Sequence, residues 1–376
     1  MKTIIQFIIK ELLQLKRDKK MLAVVFMAPI LQLILLGYAA NMDVNIVHTT
    51  ILDQDKTATS REFIKNFEES GYFSIDYYAS NYEELTKLID DGKTLVGIVI
   101  PNDFEKKLNR RESVSLQTLF EGSDGNKSSI SLGYIQGITN RFSQKIVMDT
   151  KDKYGIKIPI VGSLIPEVRV WYNPEMKTRN YMVPGIMGLI LMITTLSLMS
   201  MAVVREKEIG TLEQLIVTPL KPYQLLLGKL IPYTLVGFVV LVIVMILMTQ
   251  WFGIVVRGNR LFLLFTALLF VLSNLGLGLF ISTVSKTQQQ AMMASVFAVM
   301  MPMIYLSGFA FPIENMPEIV QYITYLIPLR YFITILRGIV LKGVGFSSLW
   351  VETLILFGMG AGILIISSLR FSKKIE

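Results

Sequence analysis

Few side chains in this sequence could perform chemistry on a substrate. The 376 residues include no cysteine and one histidine, His48, so disulfides, thiolate nucleophiles and the usual zinc ligands are largely excluded. Asp53 and Asp55 are typical of a surface turn, and the acidic turn at 121–125 offers too few oxygens for calcium. We therefore predict neither a catalytic residue nor a metal site.

The sequence also lacks the motifs with which a transporter binds ATP or couples to protons. No Gly-x-x-x-x-Gly-Lys-Ser/Thr run occurs, so the chain has no P-loop to hold nucleotide phosphates. Carboxylates such as Glu352 lie near the ends of the long apolar runs and none lies at a run centre, which disfavours a proton-coupled transporter. An intramembrane hydrolase is set aside because a His-x-x-x-His pair and paired intramembrane aspartates are lacking. Any ATP hydrolysis must come from a partner.

The most distinctive polar segment, residues 204–222, separates two long apolar runs. Thr211 can cap the amide groups at a helix start, and Glu213 then lies near the positive end of the helix dipole. Pro219 ends such a helix, and Gly210 allows a bend before it. One face of the helix would carry Leu212, Leu215 and Ile216. The pattern predicts a short helix on the membrane surface, although an ordinary connecting loop with solvated charges fits the spacing equally well.

The elements that position this segment are membrane helices. The chain is 52% hydrophobic and 18% charged, and several apolar runs approach the ~20 residues that cross ~30 Å of hydrocarbon. We predict an α-helical polytopic membrane protein with six transmembrane helices. These helices cover residues 21–41, 181–204, 225–250, 261–285, 291–311 and 349–369. A cleaved signal peptide is the alternative for the first span, but its apolar run is long and its cleavage context poor.

The segments at the two termini and between the last two spans also have patterns that predict their structure. Residues 1–20 form an apolar stripe among charges, which predicts an interfacial amphipathic helix, and residues 371–376 form a short polar tail. Residues 312–344 are apolar but contain Pro328, Arg330 and Arg337, so we predict short and half-inserted re-entrant helices, with a seventh full span as the alternative. The two arginines either reach the outer surface or form an outer gate for a substrate.

Residues 42–180 read as soluble protein inserted between the first two spans. Four β-rich runs at 45–52, 73–78, 95–100 and 114–120 alternate with four helix-like stretches. This alternation is typical of βαβ units and predicts an α/β domain, whose strand order the sequence leaves open.

The positions of lysine and arginine predict the orientation. With the amino terminus inside, the short cytoplasmic flanks hold 14 basic residues and the short outer loops hold 5. Both termini are therefore expected in the cytoplasm and the α/β domain on the extracytoplasmic side. The net charge of +8 then belongs to membrane flanks, so nucleic-acid binding is not expected.

The polar segment also resembles the signature of ABC-2 type transporter permeases, the membrane subunits of ATP-binding-cassette exporters. The likeness is carried by Arg-Glu-Lys-Glu-x-Gly-Thr-Leu-Glu-Gln-Leu-x-Val-Thr-Pro at 205–219, followed by Leu-Gly-Lys at 227–229. Weaker likenesses at 29–39, 171–185, 308–317 and 328–338 extend it over nearly the whole chain. It is similar in particular to the multidrug-efflux-like subgroup, which has a large ectodomain between the first two spans.

The resemblance implies a six-span permease of the bacterial inner membrane that forms a homo- or heterodimer and binds two copies of a separate ATPase. That partner would hold ATP and magnesium, so this chain is expected to bind no cofactor and to be no enzyme. Residues 205–222 would be the coupling helix that docks on the ATPase, and the helix at 1–20 the connecting helix beside it. The implied ATPase-coupling residues are Glu206, Glu208, Gly210, Thr211, Leu212, Glu213, Gln214, Leu215 and Thr218.

The expected activity is efflux of an amphiphilic or lipid-like substrate or drug, with a periplasmic adaptor as an optional further partner. The 20 methionines and 21 phenylalanines suit a lining for varied apolar ligands, but for clusters such as Met292-Met293 ordinary helix packing is the favoured explanation. The competing hypothesis is a membrane-anchored sensor or adhesion protein, in which the α/β domain binds a ligand and the helices only hold it.

Overall fold

The computed structural model describes residues 2–40, 46–110, 112–123, 125–154, 171–173, 177–210 and 222–372. The chain forms two compact units, one of Met1–Met42 with Arg169–Glu376 and the other of Asp43–Val168. Each unit has its own hydrophobic core. The second long helix of the larger unit begins at Thr178.

The smaller unit contains a four-stranded sheet flanked by helices. In chain order it consists of β1 (Val47–Asp53), α3 (Ala58–Glu69), β2 (Phe73–Tyr78), α4 (Tyr82–Asp90), β3 (Val96–Ile100), α5 (Phe104–Asn109), β4 (Gln117–Phe120) and α6 (Gly125–Tyr154). The strand order is β2-β1-β3-β4. The β1 strand is parallel to both neighbours, whereas β4 runs antiparallel to β3.

Side-chain patterns explain these elements. The central strand β3 is buried along its whole length, as expected of a strand covered on both faces. One face packs on α3, α5 and α6 through a phenylalanine cluster around Phe63, and the other packs on α4 through Leu85 and Ile89. The helices α3 and α4 begin at capping side chains, Thr57 and Asn81, which accept backbone N–H groups of the first turn.

The larger unit is helical. It contains α1 (Lys2–Arg17), α2 (Lys19–Ala39), α7 (Thr178–Glu208), α8 (Pro222–Gln250), α9 (Arg260–Val284), α10 (Gln288–Ala294), α11 (Met301–Leu306), α12 (Glu318–Thr324), α13 (Pro328–Arg337) and α14 (Phe346–Ser372). A π-helical turn, Ser295–Met300, joins α10 to α11, and a second one, Gly338–Lys342, extends α13. Asp18 separates α1 from α2 and caps α2 by accepting the Met21 N–H.

Six helices within the described ranges are long and apolar enough to cross a membrane, in agreement with the six predicted spans. They are Met21–Ala39, Thr178–Glu208, Tyr223–Gln250, Arg260–Val284, Gln288–Leu306 and Phe346–Phe371. The fifth span ends earlier than the predicted residue 311, because Gly308 adopts a positive φ of 78° beyond the helix. The segments Glu318–Thr324 and Pro328–Lys342 meet at a bend of 83°, the geometry of a broken or re-entrant pair.

The central helix of the larger unit is α7, which is buried along most of its length. Close packing on α9 depends on Gly278, where an added Cβ would lie 2.8 Å from the Leu196 carbonyl oxygen. On its other sides α7 packs against α8 near Gly237 and against α13 near Gly188. Because of this close packing, a displacement of α7 would also displace several neighbouring helices.

Candidate functional site

The last turn of α7 carries four consecutive charged residues, Arg205–Glu208, which we call the α7 terminus. Successive helical residues are rotated by about 100° because a turn contains 3.6 residues. Four in a row therefore point around the whole circumference of the helix. In the structure, each of the four side chains accordingly contacts a different part of the helical unit.

Three of these contacts reach the ends of neighbouring helices. Arg205 Nη1 lies 2.7 Å from Asp18 Oδ2, at the junction of α1 and α2. The Lys207 ammonium donates a hydrogen bond to the carbonyl oxygen of Ser282, near the end of α9. Glu208 accepts the backbone N–H of Gln288 at 2.8 Å and also its side-chain amide, at the start of α10. The α7 terminus thus holds α2, α9 and α10 through polar bonds.

The fourth residue, Glu206, enters a group that we call the buried charge cluster, formed by Lys10, Glu11, Glu206, Lys229 and Tyr233. Its Oε1 atom lies 2.7 Å from Lys10 Nζ on α1, and its Oε2 atom lies 2.8 Å from Lys229 Nζ on α8. Glu11 Oε1 lies 3.2 Å from the same Lys229 Nζ and 3.1 Å from Lys10 Nζ. The Tyr233 hydroxyl donates to Glu11 Oε2 at 3.1 Å. The cluster joins α1, α7 and α8.

Burial makes this cluster energetically important. The side chains of Lys229, Glu11 and Glu206 are 2%, 3% and 5% exposed, whereas Lys10 is 43% exposed. Charges so far from water persist only when they are paired, since an isolated buried charge is very costly. Two carboxylates face two ammonium groups, so the formal charges of the cluster cancel.

The charges also shift the titration of the two residues on α1. Burial alone would raise the pKa of Glu11, but the positive charges of Lys229 and Lys10 outweigh it and hold that pKa below the ordinary 4.5. Burial alone would lower the pKa of Lys10, but the hydrogen bond and charge of Glu206 raise it above 10.5. Both residues therefore stay charged across the physiological range.

A close backbone approach accompanies the ion pairs. Phe7 of α1 packs onto Gly228 of α8, where an added Cβ would lie 2.3 Å from the ring atom Cδ1. The Lys10 ammonium lies 4.8 Å from the centroid of the same ring. Glycine at 228 therefore lets α1 come close enough to α8 for Glu11 to reach Lys229.

Of the predicted ATPase-coupling residues, the described chain contains Glu206, Glu208 and Gly210. Gly210 follows the end of α7 with a φ of 75°, the left-handed conformation that commonly closes a helix, and its N–H donates to the Lys207 carbonyl. The other predicted members, Thr211, Leu212, Glu213, Gln214, Leu215 and Thr218, lie outside the described residues. Glu206 and Lys229 flank this segment in sequence and contact each other directly, so the two helices that lead into it are joined.

Among the described residues, the two arginines predicted as an outer gate contact different partners. Arg330 Nη1 donates to Thr324 Oγ1, and its guanidinium lies 4.0 Å from the Tyr325 ring centroid. Arg337 Nη1 donates to the Gly308 carbonyl at 3.1 Å, and its guanidinium lies 3.6 Å from the Tyr181 ring centroid. In the smaller unit, His48 Nδ1 lies 2.7 Å from Asp76 Oδ2 and is mostly exposed.

Sequence reasoning missed Glu11, Lys10 and Tyr233 as site residues, and it used Lys229 only as part of a motif. A signal was present for two of them. Glu11 lies between apolar residues of the amphipathic segment that forms α1, and Lys229 lies within the apolar run that predicts the third span. Charges in such settings tend to have partners, although nothing local says which.

The comparisons with known proteins agree with the motif. Residues 19–369 match the model of a family described as ABC-2 family transporter protein. The chain is 33% identical over 341 residues to the probable multidrug ABC transporter permease YbhR of Escherichia coli (strain K12), covering 91% of this chain and 90% of that protein. It is 32% identical to YbhS of the same strain, which carries the same description, over 89% of this chain and 87% of that protein. It is 26% identical to the inner membrane transport permease YhhJ of that strain, over 98% and 96%.

Proposed function

This chain belongs to the ABC-2 family of transporter proteins and is a permease subunit of an ABC transporter, and on that premise we propose that it couples ATP hydrolysis by a separate ATPase to substrate efflux. The ATPase would dock on the segment between α7 and α8, which includes Thr211, Leu212, Glu213, Gln214, Leu215 and Thr218. The two predicted acidic residues before this segment, Glu206 and Glu208, would transmit its movement.

The observation that carries this proposal is the set of bonds made by the α7 terminus. Its four residues contact the α1–α2 junction, α1 with α8, the end of α9 and the start of α10. A push on the adjoining segment would therefore reach nearly every helix end on that side of the unit. An anchoring bundle for a sensor domain would need no such convergence, so the geometry favours a transmission role.

In the proposed mechanism, the segment between α7 and α8 transmits the movement of the ATPase to the membrane helices. ATP binding would draw two ATPase subunits together, and each would displace the segment that docks on it. Because the buried charge cluster ties α1, α7 and α8 into one body, these helices would move together rather than separately. The remaining helices would repack around them between two arrangements of the membrane bundle.

We propose a dimer of permeases with two ATPase copies, located in a bacterial inner membrane. Both termini would lie in the cytoplasm and the α/β unit on the extracytoplasmic side, as the 14 to 5 distribution of basic residues predicts. A periplasmic adaptor protein would be a further partner of that unit. For the cargo we propose amphiphilic or lipid-like compounds, including drugs, because YbhR and YbhS are described as probable multidrug permeases.

The absence of cysteine makes the orientation directly testable. A single cysteine at Gln214→Cys should react with a membrane-impermeant maleimide in inside-out vesicles and not in intact cells. A matched cysteine in the α/β unit, Glu83→Cys, should show the opposite pattern. Reaction of Gln214→Cys from the outside would overturn the proposal.

Coupling is tested with the co-expressed ATPase. The ATPase should protect Gln214→Cys from the maleimide, and the pair Glu213→Ala with Gln214→Ala should lower recovery of the ATPase on tagged permease. Glu83→Ala serves as the control and should leave recovery unchanged. Equal recovery with both variants would rule out the proposed docking segment.

A further inference from the structure

Two cavities of different character meet at the Asp18–Arg205 ion pair. The first, which we call the polar niche, measures about 890 Å³ and is lined by Lys10, Gln14, Arg17 and Lys19 together with the ion pair. The second, which we call the apolar groove, measures about 490 Å³ and runs between α2 and α7. Because Asp18 and Arg205 line both cavities, the niche and the groove adjoin each other at this ion pair.

The polar niche has surplus positive charge. Lys10 is balanced by Glu206 and Glu11, and Arg205 is balanced by Asp18 at 2.7 Å. Arg17 and Lys19 are exposed, and no carboxylate of the described residues lies within ion-pair distance of either one. An anion placed here would meet two uncompensated cations, one of them a guanidinium suited to bidentate contact with phosphate.

The apolar groove has the dimensions of one lipid chain in one leaflet. It extends along α2 from Met21 to Gln32, a rise of about 16 Å at 1.5 Å per residue. Half of the ~30 Å hydrocarbon core is about 15 Å. Most of the wall is apolar, with Val25 and Ala28 on one side and Ile193 and Leu198 on the other, and the polar side chains of Gln32, Thr194, Ser197 and Gln288 complete it. The groove therefore offers a mostly apolar surface about as long as one leaflet is deep.

We propose that this combined site binds one anionic phospholipid from the leaflet on the side of the amino terminus. The phosphate lies between Arg17 and Lys19 in the polar niche, and one acyl chain lies in the apolar groove. A zwitterionic lipid is disfavoured, because its own cation would stand beside these basic residues. The bound lipid touches Arg205, the neighbour of Glu206, so it braces the α7 terminus against the α1–α2 junction.

Binding is measured on the full chain, purified in a neutral detergent, by native mass spectrometry during titration with phosphatidylglycerol or phosphatidylcholine. The site should bind phosphatidylglycerol in preference to phosphatidylcholine. The pair Arg17→Gln with Lys19→Gln should weaken phosphatidylglycerol binding about thirtyfold, since each juxtamembrane cation attracts anionic lipid roughly additively. Lys286→Gln, which removes an exposed cation outside the niche, should change binding less than twofold.

The groove is tested separately. Glycerophosphoglycerol, which is the headgroup without chains, and inorganic phosphate should not displace the lipid, whereas one-chain lysophosphatidylglycerol should. Ala28→Trp, which fills the groove, should weaken lipid binding without altering the α1 docking described below.

Equal affinity for the two phospholipids, unchanged binding in the Arg17 and Lys19 pair, or displacement by inorganic phosphate would each overturn the proposal. These measurements need no ATPase, so they are independent of the proposed transport function.

Discussion

Removing Lys229 should release α1 from the helical unit. In Lys229→Met the side-chain volume is nearly kept, while the buried carboxylates of Glu11 and Glu206 lose a shared partner at 3.2 and 2.8 Å. Breaking a buried ion pair by deleting one member typically costs 3–5 kcal/mol. Lys10 remains within reach of both carboxylates but is 43% exposed, which places the expected cost near the lower limit, at about 3 kcal/mol. That corresponds to a roughly 150-fold larger undocked fraction of α1.

The undocked fraction can be read from the reactivity of one introduced cysteine. Leu15→Cys replaces a side chain of α1 that is 9% exposed, so its thiol should react only when α1 opens. Leu13→Cys, at a position that is 47% exposed, supplies the reactivity of an open thiol on the same helix. The ratio of the two rates should rise about 150-fold in Lys229→Met. In the double variant Glu11→Gln with Lys229→Met, where one acid and one base remain, most of the increase should disappear.

The pH dependence distinguishes charge from packing. The folded-state pKa of Glu11 is depressed, so its contribution to α1 docking is complete above 4.5 and is lost as the pH falls through the lowered value. The folded-state pKa of Lys10 is raised, so its contribution is complete below 10.5 and is lost as the pH rises through the raised value. Docking of the unaltered chain should therefore be constant from about pH 5.5 to 9.5.

In Lys229→Met, a carboxylate left without its partner can neutralise by taking up a proton. The excess reactivity of Leu15→Cys should consequently shrink as the pH falls toward 5, when each rate is normalised to Leu13→Cys. A pH-independent excess would assign the defect to lost packing. If Leu15→Cys reacts in Lys229→Met as slowly as in the otherwise unaltered chain, or if the double variant shows no recovery, the buried charge cluster does not hold α1 in place.

Three further outcomes are expected. Gly228→Ala places a Cβ 2.3 Å from the Phe7 ring and should loosen α1 by about 1–3 kcal/mol in the same cysteine assay, with recovery on adding Phe7→Ala. Gly278→Ala meets a backbone carbonyl of α7 at 2.8 Å, which cannot rotate away, and should lower the Tm of the purified chain by roughly 4–8 °C; Gly362→Ala, with open space around it, should not. Phe63→Ala removes a ring that is 1% exposed and should destabilise the α/β unit by about 3–5 kcal/mol, seen as faster proteolysis of that unit with α1 docking unchanged.

The membrane spans were predictable because they depend on a local quantity. The length of an apolar run must match the thickness of the bilayer, and this can be counted along the chain. The six predicted spans and the six observed helices accordingly overlap throughout. Discrepancies fall at helix ends such as residues 306–311, where the backbone conformation of Gly308 decides and run length does not.

Only part of the candidate site could be predicted from the sequence. The motif at 205–219 marks the segment that we propose to dock the ATPase, and Gly210 has the positive φ that permits a bend there. The partners of Glu206 could not be inferred, because Lys10 lies 196 residues away in sequence and reaches it only through helix packing. A buried charge implies that an oppositely charged partner exists, but the local sequence does not identify that partner.

By itself, the amino-acid sequence determined the membrane class, about six candidate spans and the family, since each follows from composition, run length or a contiguous motif. Only the tertiary structure decided which charges meet at the α7 terminus, how closely α1 approaches α8, and where a cationic niche lies beside an apolar groove. The physical reason is that bilayer matching acts within one helix, whereas ion pairing and close packing are settled between helices by side chains that are distant in the chain.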